Sequence, residues 1–237
     1  MDSNRLSKAI VSLVELIARL RGPNGCPWDA KQRDFEIKTY LIEEAYEVIE
    51  AIESANSQEV CEELGDLIFQ IFFLAQLATE RNEFDITAVL EKITEKMIHR
   101  HPHVFGQTKV NNDEDVALNW AEIKLAERGS SNDNSSLFQS IPVSLPALLR
   151  AHRLSERASK AGFDWLNEDE IYDRVQKQFD ELKIAIDTQD KELFCKEMGD
   201  LLFSLANLGR NWGLNAEHLL RDANKRFLEH FRKKDKD

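Results

Sequence analysis

Two near-identical nine-residue blocks constrain this chain most: CEELGDLIF at 61–69 and CKEMGDLLF at 195–203. Their offset of 134 residues also carries Glu47 onto Glu181, Glu63 onto Glu197 and Asp66 onto Asp200. One offset shared by separated positions is the mark of an internal duplication, so two related modules are expected. Between them, residues 127–136 read ERGSSNDNSS, which has no apolar periodicity and the composition of a linker. The boundaries expected are a first module over 1–128, a linker over 129–136 and a second module over 137–237, each of ordinary domain size.

The local pattern is helical. Only 9 Gly and 5 Pro punctuate 237 residues, which favours long helices over many short strands. The spacing of Ile42, Ala45, Ile49 and Ile52 predicts a helix over 39–54. A polar break at Ala55, Asn56 and Ser57 follows, then a second helix over 59–80. Residues 67–77 of that helix are apolar nearly all round, the pattern of a buried central helix. A third helix over 86–101 ends at Pro102. The expected fold class is all-α, a helical bundle in each module.

Charge and cysteine usage remove whole function classes. A formal net charge of −12 repels nucleic acid and anionic membrane alike. Cys26, Cys61 and Cys195 are odd in number and lack CxxC spacing, which argues against a disulfide framework and a thiolate zinc site. The N-terminus runs into an amphipathic pattern (Leu6, Ile10, Leu13, Val14, Ile17) without a signal-peptide core, and the longest apolar stretch is too short for a bilayer. The compartment expected is a reducing cytoplasm.

What remains is a constellation of acids. Glu43-Glu44-x-x-Glu47 is followed on the next helix by Glu63-x-x-Asp66. Residues three apart share a helix face, so Glu44 with Glu47, and Glu63 with Asp66, form two pairs. Antiparallel neighbours bring the pairs together. At roughly 5 Å and an effective dielectric of about 20, each like-charged pair costs about 3 kcal/mol. Such a group takes up protons or holds cations. Oxygen-only ligands, with no His or Cys interleaved, suit Mg²⁺ or Mn²⁺ rather than Zn²⁺. A lone ExxE is ordinary solvated surface, as Glu43 and Glu50 are read. Two on consecutive helices, the second recurring at Glu197 and Asp200, are not.

The pattern EExxE…ExxD, with Gly65, resembles the MazG-type pyrophosphohydrolases of the all-α NTP pyrophosphatase superfamily, in their two-domain form. Further blocks agree: GCPWD at 25–29 with Gln32, RHPHVF at 100–105, IPVSLPA at 141–147 and AGFDW at 161–165. The resemblance implies tandem modules of that fold and a reaction in which water attacks the α-phosphorus of a nucleoside triphosphate. The products are a nucleoside monophosphate and pyrophosphate, and the role is house-cleaning or control of the nucleotide pool. It implies Mg²⁺ held by Glu44, Glu47, Glu63 and Asp66, with Glu47 the first choice to orient or deprotonate the water. Lys96 and Arg100, four apart on one face, match positions that contact phosphates. Trp28 is a candidate to pack on a base, or else a buried anchor for its loop. Lys31 is a weaker substrate-binding candidate, a solvated lysine being the plainer reading. A homodimer is implied too.

The second copy departs from the pattern. Lys177 and Gln178 stand where the first has Glu43 and Glu44, leaving Glu181, Glu197 and Asp200 as a weaker metal set. Lys96 and Arg100 correspond to Arg226 and His230 after a small gap. Catalysis is therefore expected in residues 1–128. A metal role for His101 and His103 is conceivable, but a loop closing the third helix explains them. A di-iron bundle is disfavoured because no Glu has a His three residues later. The competing readings are a non-catalytic nucleotide sensor or regulatory partner, and a narrow-specificity relative acting on dUTP or phosphoribosyl-ATP.

Overall fold

The computed structural model describes residues 2–110, 112, 115–116, 119–120, 123, 136–162 and 168–234, and every regular element among them is helical. The chain divides into two compact units, Met1–Glu127 and Arg128–Asp237. Apart from Ser136, the stretch read as a linker lies outside the described residues, as does the end of the AGFDW block.

Unit 1 contains α1 (Ser3–Arg21), a 3₁₀ turn (Asp29–Lys31), α2 (Asp34–Glu53), α3 (Ser57–Glu80), α4 (Ile86–Arg100) and the single turn α5 (Pro102–Phe105). Local chemistry sets the ends. Asp2 caps α1 by accepting from the N–H groups of Asn4 and Arg5, and Asp85 caps α4 by accepting from Ala88 N–H. Glu36 reaches back to accept from Arg33 N–H, which starts α2 five residues ahead of the apolar period. Pro102 takes the first position of α5, where its missing N–H costs nothing.

The α2–α3 connection is tight. Ala55 adopts the left-handed conformation (φ 56°), and the Asn56 side chain accepts from Gln58 N–H. Three residues thus reverse the chain and lay α2 antiparallel to α3, the principal pair of the unit; α1 packs on α3 as well. The core is Ile17 of α1, Ile37 of α2, and Phe73 and Leu77 of α3, with Leu13, Tyr40, Phe69, Phe72 and Leu74 packed round it.

The expectation that α3 is buried on all sides is not met. Gln70, Phe73, Ala75, Leu77 and Ala78 are inside, but Leu64, Ile68 and Ile71 are exposed. The cause is the small number of covering elements. With α1 and α2 on its inner sides and α4 only lightly applied, one strip of α3 has no cover within the unit. Helix α4 itself contributes no buried residue.

Unit 2 contains the short α6 (Ser136–Gln139), α7 (Ala147–Lys160), α8 (Glu168–Asp187), α9 (Lys191–Asn211) and α10 (Ala216–Lys234). Helix α9 is central, against α8 and α7, and α10 touches α9 and α7. Its hairpin repeats the chemistry of unit 1 at the same offset. Gln189 is left-handed (φ 55°), and Asp190 caps α9 by accepting from the N–H groups of Glu192 and Leu193. Among the described residues no helix is long and apolar enough to cross a membrane.

Candidate active site

The acids converge because of hairpin register. Glu47 and Glu63 each stand eight residues from Ala55, while Glu44 and Asp66 each stand eleven. Antiparallel helices rising about 1.5 Å per residue therefore hold the pairs at matching levels. One carboxylate oxygen from each of Glu44, Glu63 and Asp66 lies within 4.8 Å of the others. Glu47 adjoins this triad, acting electrostatically and by hydrogen bonding on both Glu44 and Glu63.

The electrostatics are those of a crowded acid site. Desolvation comes first in raising the Glu44 carboxyl above the ordinary glutamate range, and the charges of Glu47 and Asp66 add to it; a hydrogen bond from Gln70 opposes them. Glu63 is raised for the same leading reason, with Glu47 and Asp66 again adding repulsion. The Gln70 contact, Nε2 donating to Glu44 Oε1 at 3.4 Å, was not foreseen from the sequence. Gln70 is buried and its Oε1 has no partner. In the sequence it reads only as a polar interruption of an apolar run, a signal that a buried polar side chain has a task.

Gly65 lies between Glu63 and Asp66 in sequence but on the exposed strip of α3 with Leu64 and Ile68, where a β-carbon would meet nothing within 4 Å. The donor set fits a hard divalent ion. All its atoms are carboxylate oxygens, they lie close enough for one ion to bridge them, and their mutual repulsion makes a cation the natural complement.

The remaining candidates sit on other elements. Trp28, in the loop before the 3₁₀ turn, is 65% exposed, so the reading of a buried anchor is set aside. Lys31 is exposed and borders a cavity of about 740 Å³ together with Arg21, Gln32, Arg33 and Arg81. Lys96 is exposed on α4 and lines a groove of about 500 Å³ with Phe84, Val89, Lys92 and Ile93. The Arg100 guanidinium lies 5.7 Å over the ring of Trp120. His101 hydrogen-bonds the Met97 carbonyl through Nδ1 (2.6 Å), which ties it to the end of α4.

In unit 2 the acids are arranged otherwise. Glu197 is buried and paired with Lys196, Asp200 is exposed and Glu181 half-buried. Among the described residues the three do not form a group like that of unit 1.

Comparison with known proteins gives a consistent result. Residues 32–105 match the family described as the MazG nucleotide pyrophosphohydrolase domain. The chain is 42% identical, over 93% of its length and 83% of the relative's, to the nucleoside triphosphate pyrophosphohydrolase/pyrophosphatase MazG of Thermotoga maritima. It is 40% identical, over 93% of its length and 84% of the relative's, to a nucleoside triphosphate pyrophosphohydrolase of Escherichia coli. The crystal structure of a MazG-related protein from Thermotoga maritima aligns with 48% of this chain and 96% of its own, at 32% identity and a TM-score of 0.41.

Proposed function

Since this chain belongs to the MazG family and is a nucleoside triphosphate pyrophosphohydrolase, we propose that catalysis resides in unit 1, at Glu44, Glu47, Glu63 and Asp66, with Mg²⁺ or Mn²⁺ as the ion. The observation that carries this reading is the approach of Glu44, Glu63 and Asp66 to within 4.8 Å at matched levels of one hairpin. These three hold the ion. When bound it offsets triphosphate charge and polarises the α-phosphoryl group.

Glu47, next to the triad and coupled to two of its members, orients the attacking water and accepts its proton. Gln70 holds the Glu44 carboxylate in place through its hydrogen bond. Lys96 and Arg100 supply positive charge to the β- and γ-phosphates, Arg100 being steadied by the face of Trp120. Trp28, exposed on its loop, offers a stacking surface for a base, and Lys31 a further cation beside it.

The uncovered strip of α3 (Leu64, Ile68, Ile71) and the unburied α4 (Leu90, Ile93, Ile98) favour a second copy of the chain as their cover. Unit 2 is read as a degenerate copy that supports the fold. The test is pyrophosphate release from NTPs and dNTPs with Mg²⁺, comparing wild type, Glu47→Ala and Glu197→Ala. Loss in Glu47→Ala alone is expected. Loss in Glu197→Ala alone would move the working site to unit 2.

A further inference from the structure

The second carboxylate set is organised around a side chain with no counterpart in the first. At the offset of 134, Lys196 stands where unit 1 has Glu62, Gln178 where it has Glu44, and Ser204 where it has Gln70. Glu62 is exposed and accepts from Gln58 Nε2 at 2.7 Å, one turn back on its own helix. Lys196 instead pairs with Glu197 and stands 3.6 Å from Asp200. These two acids correspond to Glu63 and Asp66.

Burial makes the difference matter. Glu197 is only 6% exposed, and a carboxylate that far out of water is costly to leave without a cation or hydrogen-bond donors beside it. The side chain it meets is that of Lys196, which is 66% exposed and whose ammonium turns back onto the Glu197 carboxylate. Gln178, also buried, brings no charge, and its Oε1 has no hydrogen-bond partner. A lysine suits such a reduced set. Its three donors on a flexible stem satisfy two carboxylates without an octahedral shell, which Glu181, Glu197 and Asp200 alone fill poorly.

We propose that Lys196 is the resident cation of unit 2, its ammonium serving Glu197 and Asp200 as a divalent ion would serve Glu63 and Asp66, so that unit 2 is folded and ion-free. The comparison with unit 1 rests on the metal reading given above. The role of Lys196 in unit 2 does not, and the test separates them.

Mn²⁺ binding is measured on full-length protein by electron paramagnetic resonance, in a Glu63→Ala background that removes the unit 1 triad. Glu63→Ala alone is expected to bind no Mn²⁺ at concentrations that saturate wild type. Adding Lys196→Gln and Gln178→Glu is expected to lower the melting temperature in the absence of metal, to create a Mn²⁺ site and to restore stability when Mn²⁺ is present. Mn²⁺ bound to Glu63→Ala and lost on adding Glu197→Gln would overturn the proposal, as would an unchanged melting temperature in Lys196→Gln. Should the triple variant fail to fold, thermal melts of Lys196→Gln, Glu197→Gln and their double variant decide. Each single change is expected to destabilise, and the double, which leaves no buried charge unpaired and only the exposed Asp200 ionised, to recover most of the loss. Additive losses would refute the pairing. Absence of Mn²⁺ from the wild type counts against the unit 1 site and leaves the melts as they stand.

Discussion

Arg21 and Glu80, fifty-nine residues apart, meet in two parallel hydrogen bonds, Nε to Oε1 and Nη2 to Oε2, each 2.7 Å long. The remaining nitrogen, Nη1, donates to the carbonyls of Asp29 (2.6 Å) and Gln32 (3.2 Å). The guanidinium also lies 5.2 Å over the Phe73 ring. One side chain therefore joins the end of α1, the loop that carries Trp28 and Lys31, and the end of α3.

Removing that junction should be costly. The Arg21 side chain is 8% exposed and Glu80 38%, so Arg21→Ala is expected to cost about 2–3 kcal/mol in urea unfolding, less than a fully buried pair. Arg21→Lys should recover little, because an ammonium cannot reproduce the planar fork. The hydrogen bond from Arg21 leads in holding the Glu80 carboxyl below its ordinary range. The stabilisation is therefore present above the unfolded glutamate pKa and is lost as pH falls through the depressed value. Arg21→Ala should flatten that acid limb.

The triad carries the opposite sign. Burial first, and then the neighbouring acids, raise Glu44 and Glu63, so the metal-free fold binds more protons than the unfolded chain and loses stability as pH rises through that window. Glu63→Gln is expected to melt a few degrees higher than wild type in chelator at neutral pH, and to lose the further rise that Mg²⁺ gives the wild type. Metal binding should expel protons, seen calorimetrically as a heat that depends on the ionisation enthalpy of the buffer.

Gly65 lets stability be changed apart from turnover. Alanine there meets no atom, and its better helix propensity should stabilise by about 1 kcal/mol. The added methyl projects from the exposed strip of α3 beside Leu64 and Ile68, about 100° round the helix from Asp66 and farther still from Glu63. Pyrophosphate release in Gly65→Ala is therefore expected to stay close to that of wild type, with KM unchanged.

Ala55 holds a conformation that a β-carbon disfavours (φ 56°). Ala55→Gly should stabilise unit 1 by about 0.5–1 kcal/mol in chemical denaturation, without change in turnover, because the hairpin register stays fixed.

Much of this arrangement is written in spacing, and the rest is not. The interval from Glu44 and Glu47 to Glu63 and Asp66 is a register statement: equal distances from a turn put side chains at equal heights, so the sequence suffices. Helix starts were less legible, since α2 begins with the capping contact of Glu36 rather than with an apolar residue. The exposed strip of α3 is not legible in the sequence, because composition shows that a helix is apolar but not how many neighbours cover it. Arg21, Gln70 and Lys196 act through partners that no periodicity reveals. Arg21 depends on a residue fifty-nine positions away, Gln70 on one from the preceding helix, and Lys196 on the burial of its neighbour.

The three-residue turns at Ala55 and Gln189 have a consequence in time. Each joins the principal helix pair of its unit, so the contacts that define the unit are close in sequence and the entropy lost in closing them is small. Each hairpin can zip outward from its turn before the rest of its unit is assembled. During synthesis α2 and α3 can pair, and their four acids come level, while the second unit is still being made.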